Sequence, residues 1–366
     1  MFSVFNSRFF RIYIVPGAVF QSVMVGGGYG TGREIVEYFT SYGFYGGLLG
    51  LGVAFIALSL VLALTFEFAR FFQVYDYRNF FKRLLGRGWV AYEVLIILQF
   101  LLVLAVLASA AGNIMRDNFG LPYGVGLTIM LVVVGLLTFF GRDIIAKVLT
   151  FWSFFLYIVF IAFFITVFNN DWTPIAKAFN NAEVIGSWWL SGFKYALYNL
   201  AIAPLLLYIA RDFNSRAEAL RSGVVAGAIA IVPALIFQVA FFAVYPEVLD
   251  QPIPVYWMMT QLGMTVLLVM YSVMLFGTFI ETGAGMLQGI NERLDAFMIE
   301  KSGKGLARTT HASIAVVAIL VSAVLSLWGI TNLIADGYGT MAWGFLVVYV
   351  IPLLSVGIFR VFKSRL

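Results

Sequence analysis

The chain has 366 residues, of which 62% are hydrophobic and only 11% charged, and its mean hydropathy is +0.96. Soluble domains carry roughly 25% charged residues, so the composition excludes a soluble protein and requires one that spans a membrane. The absence of cysteine removes disulfides and thiol chemistry.

Apolar runs of about 20 residues without strand-like alternation mark helices, not the strands of an outer-membrane barrel. The reading is an all-α multi-pass membrane protein with about ten transmembrane helices. In chain order the spans are expected at about 10–40, 44–70, 88–115, 122–141, 143–168, 186–210, 217–245, 264–291, 310–329 and 337–361. The first run lacks a small-residue cleavage pattern and is read as a retained span. Lys and Arg set the orientation. With the N-terminus in the cytoplasm, the inside segments hold all of the 23 basic residues except Arg33, Arg116, Lys177 and Lys194. The C-terminus is then cytoplasmic too. The formal charge of +5 is thus a topology signal, and no nucleic-acid partner is expected.

Span one contains VGGGYGTGREIVEYF, Val25 to Phe39. The helix from Ile12 to Val25 reaches only about 21 Å at 1.5 Å per residue, short of the roughly 30 Å hydrocarbon core. Gly26, Gly27, Gly28, Gly30 and Gly32 therefore fall near mid-membrane, each costing about 1 kcal/mol relative to Ala in a helix. Such a run favours an unwound segment, which survives in a bilayer only where protein or a water-filled cavity covers it. Close helix packing through small-xxx-small spacing is the competing explanation. Span six carries the other interruption, YALYNLAIAPLLLYIARDF from Tyr195 to Phe213. Pro204 lacks an N–H and clashes with the preceding turn, and Asn199 adds a polar group at similar depth. Each break falls in the first helix of a five-helix half, and five is odd, so the halves enter the membrane from opposite sides. Matching breaks in two inverted halves point to the binding site of a secondary transporter.

GGGYGTGREI (Gly26–Ile35), YNLAIAP (Tyr198–Pro204), ETGAGM (Glu281–Met286), DGYGT (Asp336–Thr340) and IPLL (Ile351–Leu354), with the ten-span layout, resemble the amino-acid–polyamine–organocation (APC) superfamily with the LeuT fold. Within it they are similar to the YkvI-like bacterial membrane proteins. The resemblance covers essentially the whole chain. It implies a single transmembrane domain over 1–366, built as a 5+5 inverted repeat (about 8–168 and 186–361) with broken helices 1 and 6. It implies a symporter-like carrier in the cytoplasmic membrane that moves a small amino-acid-like or zwitterionic solute by alternating access. The coupling ion would be Na+ or H+, with no other cofactor or metal. Arg33 departs from the uncharged Gln expected at that position. A LeuT-fold ligand sensor, or a channel without uphill transport, is the alternative.

In such a fold the N–H groups that open the outer half of span one would face a carboxylate near Gly28 to Thr31. Gly26, Gly27, Gly28, Tyr29, Gly30, Thr31, Tyr195, Tyr198 and Asn199 are the expected lining, with Gln99 from span three a weaker candidate. Glu281 in span eight lies about 6 Å from mid-membrane on helical rise, where a carboxylate is a functional candidate by default. It could bind a cation with Thr278 and Thr282, or carry a proton; a structural ion pair is the competing reading. By resemblance, Lys147 on helix five could replace the ion. Arg33, Glu34, Glu37, Lys194 and Asp336 are expected to face the external vestibule. Arg33 either forms an outer gate with Asp336 or pairs with Glu37 at i,i+4. His311 is read as a helix-end residue.

Other chemistries fail on spacing. GGGYGTG contains no G-x-G-x-x-G, and no G-K-[ST] follows. Glu34-x-x-Glu37 has no second acidic cluster, and the chain has one His and no Cys, so an enzyme is not expected.

Overall fold

The computed structural model describes residues 7–140, 155, 157–181 and 183–363. Among them the chain is helical, with no strand. Among the described residues six helices are long and apolar enough to cross a membrane: Phe44–Phe72, Tyr77–Asp117, Arg216–Val244, Thr265–Ser302, Thr309–Ser326 and Ile330–Val361. Two further apolar helix pairs are sharply bent, Tyr157–Phe168 with Thr173–Asn180 at 78° and Trp188–Leu200 with Ala203–Asp212 at 67°. Phe10–Met24 and Tyr123–Thr138 are shorter apolar helices. Each expected span thus meets an apolar helix. Arg142, Lys147 and the start of span five lie outside the described residues.

Both breaks are present. Span one runs helically over Val15–Met24, loses helical geometry at Val25 (φ −76°, ψ 64°), makes one turn at Gly27–Gly30, and restarts as Arg33–Tyr38 after Gly32 at φ 81°. That left-handed conformation is open to glycine at no steric cost. Span six leaves the α-helix after Leu200 and continues as a 3-10 helix, Ala203–Asp212, with Pro204 in its first turn. A proline there gives up only an N–H that the first turn leaves unpaired.

Some boundaries move. Span eight extends to Ser302, well past the expected end. Span ten starts at Ile330 and includes three π-helical segments, so Asp336 lies inside its first turns, where it stays exposed. A helix that the apolar pattern does not announce, Pro254–Gln261, covers the outer half of span one; Val255 N–H donates to the Thr31 carbonyl at 3.1 Å.

Packing sorts the spans into two groups. Span two packs on spans six and seven, and span seven on the inner half of span one. Span three packs on four, eight and nine, and span eight on four. The turn Gly27–Gly30 touches both spans three and eight, so the breaks lie at the boundary of the groups. Rows such as Val266, Val269 and Val273 stay exposed, as lipid-facing helix surfaces do.

Candidate functional site

At the breaks, backbone groups that lose helical partners find side chains. Tyr271 of span eight donates its hydroxyl to the Gly30 carbonyl at 2.9 Å. Tyr92 of span three donates to the Ala201 carbonyl at 2.8 Å. Both tyrosines are fully buried. A buried carbonyl without a partner is costly, so each tyrosine stabilises a break in the other half of the chain.

Between the breaks lies a small cavity of about 50 Å³. Of the expected lining residues, Gly26, Gly28, Gln99, Tyr198 and Asn199 do line it. Gly27 opens the helical turn beside them. Four others do not line it. Tyr29 is buried edge-on against Phe237 at 5.9 Å. Gly30 faces Leu275 of span eight. Thr31 donates its hydroxyl to the Gly28 carbonyl at 2.6 Å and accepts from Arg33 N–H at 3.2 Å. Tyr195 is buried among Tyr38, Phe39 and Tyr198.

Glu34 is the main correction. The sequence reading places it in the outer vestibule as a gate charge. The structure turns it inward, 5% exposed, as part of the cavity wall. Its carboxyl accepts the Tyr198 hydroxyl at 2.5 Å and folds back over Gly28, where a Cβ would collide with Glu34 Oε1. The carboxylate that the sequence reading assigns to a substrate at Gly28 to Thr31 has a protein counterpart in that position. The neighbouring N–H groups are also engaged: Gly30 N–H donates to the Gly26 carbonyl at 2.8 Å and Gly32 N–H to the Tyr29 carbonyl at 2.9 Å.

Arg33 points the other way. It pairs with Glu37 at 2.7 Å and donates to the carbonyls of Leu249 at 2.6 Å and Gln251 at 3.2 Å. The i,i+4 reading therefore holds in this conformation, and the Arg33–Asp336 gate pair is not formed. Glu37 and Lys194 share a separate outer cavity of about 90 Å³, with Lys194 Nζ 5.8 Å from the Trp343 ring.

The central cavity is closed on that outer side. Tyr38, Tyr195 and Tyr198 pack mutually at 5.4–5.8 Å between ring centroids, with Tyr338 4.8 Å from Tyr198. Tyr38 locks onto span ten by donating to the Ile334 carbonyl at 3.0 Å. Toward the basic end it adjoins a chamber of about 550 Å³; Val23, Phe100, Ile202, Thr282 and Met286 line both. Glu281 lines this wide chamber. Thr282 also reaches the break, since a Cβ at Gly26 would lie 3.5 Å from its Cγ2. Thr278 does not join them: it is buried and donates to the Met274 carbonyl of its own helix at 2.9 Å.

Sequence reasoning missed Arg293, which it placed among cytoplasmic loop charges. It is 6% exposed, lines the wide chamber, stacks 4.1 Å from the Tyr77 centroid and lies 3.6 Å from Glu93. Its i−4 and i−8 neighbours, Gly289 and Gly285, also line the chamber, and that small-residue stripe was the available signal. His311 stands in the first turn of span nine, 3.4 Å from Asp295.

Paired helix breaks between two helix groups, with a cavity at their junction, define a LeuT-fold membrane protein. No protein-family model matches the chain. It is 25% identical over 296 residues to the uncharacterized membrane protein YkvI of Bacillus subtilis strain 168, covering 78% of this chain and 81% of that one. Among solved structures it is similar to a Na+-coupled sialic acid symporter in a substrate-bound outward-open state (TM-score 0.61, 12% identity, 93% of this chain and 78% of that one). It is also similar to MhsT in complex with L-phenylalanine (TM-score 0.55, 16% identity, 98% and 99%). These neighbours fix the fold.

Proposed function

We propose that the protein is a secondary transporter that moves a small nitrogen-bearing solute across the cytoplasmic membrane by alternating access, coupled to Na+ or H+. The observation that carries this reading is the asymmetric closure of one cavity. The space between the breaks is covered by packed tyrosines at one end and shares wall residues with the wide chamber at the other. Under the positive-inside rule the open end is cytoplasmic, both termini are cytoplasmic, and the conformation is inward-open. A site reachable from one side at a time is what alternating access requires. The fold neighbours add support, since a sialic acid symporter and MhsT with L-phenylalanine share the architecture. The amino-acid-like substrate class rests on the resemblance. Two inverted halves, about 8–168 and 186–361, supply spans one and six in equivalent roles. Thr282, beside the break of span one, and Glu281, in the wall of the wide chamber, are the proposed ion-coupling groups.

The test is accumulation. Purified protein in proteoliposomes should concentrate a labelled solute when a Na+ or H+ gradient is imposed, and lose this on collapse of the gradient. Binding without accumulation would mean a sensor, and ungated ion current a channel.

A further inference from the structure

The central cavity has an unbalanced chemistry. Its charged wall group is Glu34, and among the described residues no Lys, Arg or His side chain lines it. Arg33, adjacent in sequence, is held away by Glu37 and two carbonyls. The remaining polar groups include acceptors open to a ligand. Gln99 is 5% exposed and its Oε1 has no partner among the described residues. Asn199 donates one amide N–H to the Tyr195 carbonyl at 2.9 Å, which leaves its Oδ1 as an acceptor and its second N–H as a donor. The Tyr198 hydroxyl is committed as a donor to Glu34. Buried acceptors without donors cost free energy, and an intramembrane carboxylate needs a counter-charge. A ligand that supplies several N–H donors and one positive charge satisfies both.

We infer that the central cavity binds the ammonium or amidinium head of the transported solute at Glu34, and that this head exchanges with a proton on the same carboxyl. That the bound solute is transported rests on the transport reading above, while the cationic head narrows its amino-acid-like class. The cavity of about 50 Å³ holds only such a head, and the rest of the solute extends past Phe100, Ile202 and Met286 into the wide chamber. A carboxylate on the carbon next to the ammonium would be pressed against Glu34. Simple amines therefore bind better than the matching α-amino acids. The exchange follows from burial. The closed, empty carrier cannot bury a bare carboxylate cheaply, so Glu34 crosses either paired with the cation or protonated. The titratable groups facing Glu34 among the described residues include Tyr29 and Tyr38 of span one, Tyr195 and Tyr198 of span six and Tyr338 of span ten. Spans three and eight face it with the uncharged Gln99 and Thr282.

The test is calorimetric titration of purified full-length protein with phenethylamine, putrescine and guanidinium, against L-phenylalanine and phenylpropionate. At least one cation of the panel should bind, at least about tenfold tighter than either carboxylate compound, with proton release into the buffer and affinity that rises with pH. Glu34→Gln should weaken cation binding about tenfold to hundredfold, the range of a lost charge-assisted hydrogen bond, and abolish proton release. Glu34→Asp should retain part of both, and unchanged elution and melting temperature would show that each variant folds. Tighter binding of phenylpropionate or L-phenylalanine, undiminished cation binding by Glu34→Gln, or no binding by any cation of the panel would overturn the inference. Cation binding without accumulation in proteoliposomes would instead sink the transport reading and leave the recognition intact. Accumulation of a carboxylate solute would do the reverse.

Discussion

The two broken helices are interrupted by opposite means. Span one breaks by removing side chains, and span six by removing an N–H. In span one, Gly28 leaves room that Glu34 occupies, and Gly32 takes a conformation, φ 81°, that other residues resist. In span six, Pro204 permits a bend of 67° while Tyr198 and Asn199 keep helical geometry just before it. The first break makes space and reverses direction; the second holds polar side chains against that space. The two are linked at the cavity by the Tyr198–Glu34 hydrogen bond at 2.5 Å, and are stabilised alike by a tyrosine from the opposite half.

That contrast is open to attack by substitution. The largest effect is expected from Gly28→Leu. The new side chain would collide with Glu34 and fill a cavity of about 50 Å³, so solute-induced thermal stabilisation should vanish; retained affinity would move the site elsewhere. Next, Glu281→Gln should abolish gradient-driven uptake in proteoliposomes with little loss of melting temperature. Uptake unchanged under the same gradient would refute its coupling role.

Backbone effects should be smaller and unequal. At Gly32 a Cβ would lie 2.5 Å from Phe241 Cζ and 2.8 Å from Val255 Cγ2. Gly32→Ala should therefore cost about 1–3 kcal/mol from strain and overlap, read as a lower midpoint in denaturant. Pro204→Ala should cost less, about 1 kcal/mol or below, because the 3-10 geometry suits many residues. A larger loss for Pro204→Ala would reverse the assignment of the stricter break. Last, Tyr92→Phe and Tyr271→Phe each strip a buried carbonyl of its donor, so each should cost about 1–3 kcal/mol. A marked inequality between them would show that the halves do not support their breaks equivalently.

Much of this was legible in the chain. A glycine run and a proline act through local backbone preference, so both breaks could be located before any contact was known. Span positions followed from apolar run length, and Gln99, Tyr198 and Asn199 followed from polarity near the breaks. The Pro254–Gln261 helix was not legible, because its mixed pattern forms a cover only against the outer half of span one.

Sequence alone determined where the helices break, since that depends on missing side chains and a missing N–H within a few residues. It did not determine which way the charges beyond the break face. Arg33 and Glu34 are adjacent, and neighbours on an α-helix point about 100° apart, so one can face inward while the other faces out. The rotation of Arg33–Tyr38 is reset by the left-handed Gly32 and fixed by the distant carbonyls of Leu249 and Gln251 on one side and Tyr198 on the other. Those contacts cross more than 160 residues of chain, and only the tertiary structure could turn Glu34 into the wall of the cavity.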